Sequence, residues 1–405
     1  MKILLLCNKS PYPAFEGGPM AMNSIVTGLL NAGHQVKIMA VNSKKYNVTL
    51  EDIPEDYRQK TGIELIDVDL RVKPIQAFKN LFSKKSYHVE RFISKSFTAR
   101  LIEVLKEDIY DVVQLETLFM TPYVDTIRKY TKARIVLRAH NVEHLIWERI
   151  AKGTHFFLKR AYINHLAKTL KNYELSAISQ VDGIAAITRK DAAFFRKYCA
   201  TTTIDIPYGV YPDQFTPSCE IEGKPTFYHI GSMNWMPNEE GIRWFIDNCL
   251  EAVVAKVPDF VFHLAGRNMP EWLKSMKNEH VNVVGEVPDA KEFVASHNVA
   301  IVPLLSGSGI RIKIIESMAL GKTVITTMVG AEGILYTEDL NIIIAENKAK
   351  MAEAIRRINE NPTIAVEIGK AARKLVEDVY DNRKLTERLL MFYEQIKPSS
   401  KITFV

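Results

Sequence analysis

Short apolar runs alternate with longer helical patterns along almost the whole chain, and the alternation starts twice. KILLLC (2–7), QVKIMAV (35–41), DVVQL (111–115), ARIVLR (133–138) and GIAAI (183–187) are apolar almost throughout. A strand with one wet face alternates polar and apolar residues; a run without that alternation is buried on both faces, as in a parallel sheet under two layers of helices. Near residue 205 the rhythm stops. IPYGVYPDQFTPSCEIEGKP (206–225) holds four prolines, two glycines and no periodicity, which reads as a linker. The alternation then restarts with TFYHIG (226–231), FVFHLAG (260–266), VNVVG (281–285), VAIVPLL (299–305) and TVITT (323–327), and from Lys348 to about Lys397 the pattern is helical and charged.

The expected fold class is therefore α/β, with two doubly wound, Rossmann-like parallel-sheet domains facing across a cleft. The expected divisions are a first domain over 1–205, a linker over 206–224, a second domain over 225–375, and a C-terminal helix over 376–405 that packs back on the first domain. With 405 residues, both domains can bury large cores. The net charge of +6 is too mild to argue for nucleic acid. Cys7, Cys199, Cys219 and Cys249 lie far apart, with neither metal-ligand nor disulfide-framework spacing, and suit a reducing cytoplasm. The opening apolar run is too short for a signal peptide, and no stretch of about 20 apolar residues offers a membrane span.

The stretch SGSGIRIKIIESMALGK (306–322) carries the chemistry. A strand ends in a Gly/Ser turn (Gly307, Ser308, Gly309) and a helix follows, with Ile312, Ile315 and Ala319 on one side and Gly321 closing it. The expected first turn holds Arg311 and Lys313, where the helix dipole repels cations by a few tenths of a kcal/mol up to about 1. A bound diphosphate removes the conflict. Free backbone N–H groups at the helix start and close-packing glycines make an anion site, Arg311 offers a forked contact and Lys313 a point charge. Glu316, one turn deeper, can accept two hydrogen bonds from neighbouring ribose hydroxyls. The alternative is a solvated surface helix with a Lys313–Glu316 pair worth roughly 0.2–0.5 kcal/mol, which leaves the glycines and the dipole conflict unexplained.

With that stretch continuing as GSGIRIKIIESMALGKTVITTMVGAEGI, and with EGGPM, LRAHNVE, IPYGV, HIGSMNW and LAGRN elsewhere, the chain resembles the retaining glycosyltransferases of the GT-B fold, group-one, family-four class. The resemblance covers nearly the whole length. It implies transfer of a sugar from a nucleotide-diphosphate donor to an acceptor hydroxyl with retention, in surface polysaccharide or glycolipid assembly, without a cofactor or a required metal. It makes Glu316 the ribose-binding residue, places Gly17 and Gly18 of EGGPM and Gly231 and Ser232 of HIGSMNW among the donor-binding residues, and sets His140 against the donor sugar. His140 also closes the strand ARIVLRAH, at the edge where parallel sheets bind ligands.

Two departures mark this chain. Where many members have a sugar-contacting glutamate it has Ser308. Where many place an Arg and a Lys after the first strand of the second domain, GSMNWMPNEEG (231–241) has neither. The inference is that Arg311 and Lys313 supply that charge from another loop. Gly17 and Gly18 can equally form a plain turn. Asp67-Val68-Asp69 alternates with apolar residues as a half-buried strand does and reads as structural rather than metal-binding. The basic, aromatic-studded segments 71–92 and 153–174 suit either an anionic membrane surface carrying a lipid-linked acceptor or two solvated amphipathic helices. Rival readings of the whole are a nucleotide-sugar epimerase of similar shape and a non-catalytic nucleotide-sugar-binding protein.

Overall fold

A computed structural model describes residues 1–307 and 309–397; Ser308, one of the expected donor residues, lies outside the described residues. The chain divides into two compact units, 1–208 with 385–405 and 209–384.

The first unit holds seven parallel strands: β1 (Lys2–Cys7), β2 (Gln35–Asn42), β3 (Glu64–Asp67), β4 (Val112–Glu116), β5 (Arg134–Ala139), β6 (Gly183–Ala186) and β7 (Thr202–Asp205). Their order is β3-β2-β1-β4-β5-β6-β7. Strand β1 shows why its sequence is apolar throughout. Leu4 and Leu6 enter the core on one face of the sheet, and Ile3, Leu5 and Cys7 enter the core on the other. The helix Asn382–Gln395 sends Leu385, Leu389, Phe392 and Tyr393 into that second core. Phe392 and Ile396 press against Gly183 so closely that a Cβ there would come within 2.7 Å of the Phe392 ring.

The second unit holds six parallel strands: β8 (Phe227–Ile230), β9 (Phe262–Ala265), β10 (Val281–Gly285), β11 (Val299–Val302), β12 (Thr323–Thr326) and β13 (Ile343–Ile344). Their order is β10-β9-β8-β11-β12-β13. Each sheet therefore starts at its third strand, runs back to its first, and then reverses. That reversal opens a crevice at the carboxyl ends of the two strands flanking it, which is where doubly wound folds bind ligands. It falls between β1 and β4 in the first unit and between β8 and β11 in the second. Asp67 ends β3, where its carboxylate accepts from Asn42, and Asp69 pairs with Arg71 and Lys73. No helix among the described residues is long and apolar enough to cross a membrane.

Candidate donor and catalytic site

In the second unit, β8 delivers Gly231 and Ser232 to the switch point, and β11 leads to Gly307 and Gly309. The helix begins at Ile312 and runs to Ala319. Arg311 thus stands at its N-cap, not in its first turn, because its backbone is extended (φ −90°, ψ 91°). Only Lys313 of the two cations is inside the first turn. Arg311 is 3 % exposed. It donates to the carbonyls of Gly309 and, at 3.3 Å, of Val329, and lies 5.7 Å from the centre of the Trp235 ring. It therefore ties the Gly/Ser turn to the small-residue loop after β12. Gly307 and Gly309 have φ of +111° and +77°, left-handed values that a side chain would strain.

Lys313 crosses to the other strand of the crevice. Its Nζ donates to Asn238 Oδ1 at 2.7 Å and to His229 Nε2 at 3.2 Å. His229 is fully buried on β8, and its Nδ1–H donates to the Ile301 carbonyl at 2.8 Å. A carbonyl only accepts, so the proton sits on Nδ1 and Nε2 faces Lys313 as a lone pair. Asn238 is oriented the same way: its amide nitrogen donates to the Ser232 carbonyl at 2.8 Å, leaving its oxygen for Lys313. A Cβ on Gly231 would collide with Lys313 Nζ and stand 2.8 Å from Asn238 Nδ2. The ammonium therefore lies beside the stretch GSMNWMPNEEG, which is a loop only as far as Trp235 because a helix runs over Met236–Trp244, and which carries no cation of its own.

Both acceptors of Lys313 are neutral. Burial, reinforced by Arg311, lowers its pKa from 10.5 to about 7, and burial with the Lys313 charge holds His229 well below its ordinary value. A cation in this state is stabilised by an incoming anion. Glu316 follows Lys313 by three residues on the same helix and is half-buried. Ser232 Oγ donates to Asn234 and accepts from Asn268 at 3.2 Å, which rigidifies the loop.

In the first unit, His140 stands directly after β5, 8 % exposed. Its Nε2 lies 2.7 Å from Glu116 Oε2 at the end of β4. Glu116 is fully buried, accepts from Gln114 at 2.6 Å, and Gln114 in turn accepts from the Tyr393 hydroxyl. A chain of side chains thus runs from the C-terminal helix to the His140 ring and fixes its orientation. Next to Glu116, Thr117 holds φ +83°, and its buried hydroxyl has no hydrogen-bond partner. A β-branched residue there is strained, and such strain concentrates at functional sites. Three residues past His140, burial and then Glu174 push the Glu143 carboxyl up to about 8. Gly17 opens the helix Gly17–Asn31 after β1; Lys9 packs over Gly18 and pairs with Glu16 at 2.8 Å.

The structure thus gathers Gly231, Ser232, Gly307, Gly309, Arg311, Lys313 and Glu316 at one switch point, and sets Gly17, Gly18 and His140 at the carboxyl edge of the other sheet. His229, Asn238, Glu116 and Thr117 were not expected from sequence. The available signal was positional: His229 lies near the end of its strand as His140 does.

Residues 224–361 match the family model described as Glycosyl transferases group 1. The chain is 21 % identical over 397 residues to an uncharacterized 44.6 kDa protein in the cps region of Klebsiella pneumoniae, an alignment spanning 95 % of this chain and 97 % of that one. Among solved structures it superimposes on sucrose-phosphate synthase from Thermosynechococcus elongatus with a TM-score of 0.70 at 15 % identity, covering 98 % and 99 % of the two chains. It superimposes on Anabaena HepE in complex with UDP with a TM-score of 0.69 at 13 % identity, covering 98 % and 100 %. The chain therefore has the GT-B fold, and residues 224–361 of its second unit are similar to the group 1 glycosyl transferases.

Proposed function

We propose that the protein transfers a sugar, with retention, from a nucleoside-diphosphate sugar to an acceptor hydroxyl in surface-polysaccharide or glycolipid assembly. The observation that carries this reading is the placement of Lys313 Nζ beside Gly231, held by His229 and Asn238, at the switch point of the second sheet. Structures of the similar Anabaena protein contain UDP and UDP-glucose, which supports a donor of that class. The relative in the Klebsiella cps region supports the setting.

In this reading the diphosphate lies over the Gly/Ser turn, where backbone N–H groups at the start of the helix Ile312–Ala319 face it. Lys313 takes up the charge that develops on the leaving phosphate, and Arg311 adds to the field while bracing the turn. Glu316 accepts from the ribose hydroxyls. His140, oriented by Glu116, stands against the donor sugar. The acceptor oxygen attacks the anomeric carbon on the leaving-group face as the bond to the phosphate oxygen breaks, and the acceptor proton passes to that departing oxygen. Cations on the diphosphate do most of the catalytic work, and no metal is assigned a part.

The test is a thermal-shift screen of nucleotide sugars followed by an assay for nucleotide release with hydroxyl acceptors. A ligand at 100 times its Kd adds about 2.7 kcal/mol to stability. Release that depends on acceptor, unchanged by EDTA, supports the proposal. An epimerised donor without acceptor, or tight binding with no release for any acceptor, overturns it.

A further inference from the structure

Two segments of the first unit, 70–89 and 149–173, contain eleven lysines and arginines and not one aspartate or glutamate, whereas the whole chain has 53 basic and 47 acidic residues. The rest of the chain is therefore net negative, and the positive charge is concentrated here. Acidic residues occur only at the margins: Asp69 pairs with Arg71 and Lys73, Glu90 with Lys85, and Glu148 with Lys171. The segments are neighbours in the fold. His165, on the helix Phe157–Ala177, reaches the Asn80 carbonyl at 3.1 Å, and Tyr87 binds the Lys73 backbone through its hydroxyl.

Among these cations stand large apolar side chains in solvent. Ile75 is 74 % exposed, Phe82 83 %, Phe156 61 %, Phe157 64 % and Leu158 59 %. The first turn of the helix Phe157–Ala177 decides between a solvated amphipathic helix and a docking element. Phe157, Leu158, Lys159 and Arg160 are all exposed, so this turn is bare on every side. An amphipathic helix hides its apolar residues on one face; this one presents them at its tip, with cations directly behind. Apolar side chains that enter an acyl boundary below a ring of cations are the pattern of interfacial membrane binding. A nucleic acid partner would use the cations and could stack on the phenylalanines, but would leave Ile75 and Leu158 wet.

We propose that this face of the first unit docks on an anionic lipid surface, with Phe156, Phe157 and Leu158 inserted and Lys159 and Arg160 at the headgroups. The inference stands on exposure and charge alone and does not depend on the donor reading. The test is co-flotation of the full chain with vesicles of phosphatidylcholine alone or mixed with phosphatidylglycerol, at low and high salt. Binding is expected only to the anionic vesicles, weakened by salt. At about 1 kcal/mol per cation, K159E with R160E weakens it by about 30-fold or more, and F157S with L158S also abolishes it. Both variants alter exposed residues and are expected to keep the melting temperature and the nucleoside-diphosphate binding of the parent. Absence of vesicle binding by the parent overturns the proposal. So does binding that the serine variant leaves unchanged, or an oligonucleotide that displaces the protein from vesicles and binds the serine variant equally well.

Discussion

Lys313 Nζ lies 3.2 Å from His229 Nε2, a nitrogen that can only accept because its partner Nδ1 donates to the Ile301 carbonyl. The pair joins the helix Ile312–Ala319 to β8, neighbours across the switch point but 84 residues apart in the chain. Lys313 is thereby held by neutral acceptors, and its protonated form can take an anion.

Unligated Lys313 titrates at about 7, below its ordinary 10.5, because of burial and Arg311. An anion in the site raises that value, so binding takes up a proton above pH 7. Nucleoside-diphosphate affinity should be flat below about pH 6 and fall toward about tenfold per pH unit above 7. The unligated fold should behave oppositely: the unfolded lysine keeps its proton to higher pH, so this group makes the fold more stable as pH rises through 7. Titration calorimetry in buffers of different ionisation enthalpy measures the proton uptake, and K313R should remove the slope. A slope that survives in K313R assigns it to another group.

The neutral acceptors give the second prediction. N238A or H229A removes one hydrogen bond to a charged group, about 1.5–3 kcal/mol. Each should weaken nucleoside diphosphate by about tenfold or more and leave nucleoside affinity within about twofold, since only the phosphate interaction depends on Lys313. Because His229 and Asn238 are both buried, melting temperatures must be compared for each variant as well.

Glu316 and Arg311 separate ribose from phosphate. E316A should lose most of the thermal shift from both nucleoside and nucleoside diphosphate, whereas R311A should weaken the diphosphate more. Equal losses for the two ligands in R311A would restrict Arg311 to bracing the Gly309 and Val329 carbonyls.

In the first unit, Glu116 holds His140 through one 2.7 Å contact. E116Q keeps the shape and the Gln114 contact but loses the negative charge. Turnover should fall by about 100-fold or more if His140 serves the sugar through this orientation, with nucleoside-diphosphate affinity unchanged. Steady-state kinetics that show a KM change alone would refute that assignment.

The sheets were legible because strands buried on two faces leave continuous apolar runs, as KILLLC does for both cores. The strand β13, Ile343–Ile344, was not, since two residues carry no periodicity. The Gly/Ser turn and its cations stood out because they break the dipole rule. Their partners did not: His229, Asn238 and Glu116 reach their targets from elements 84, 75 and 24 residues away, and only the fold brings them together. The N-cap position of Arg311 is not legible either, because sequence pattern does not show which residue keeps extended backbone at a helix start.

In the proposed reading, Lys313, delivered beside Gly231, receives a diphosphate. The decisive experiment is a structure of the full chain with a nucleoside diphosphate. Phosphate oxygens are expected within hydrogen-bond distance of Lys313 Nζ and of the backbone at 309–312, with the ribose at Glu316. A nucleotide bound elsewhere, with Lys313 still held only by His229 and Asn238, would contradict it.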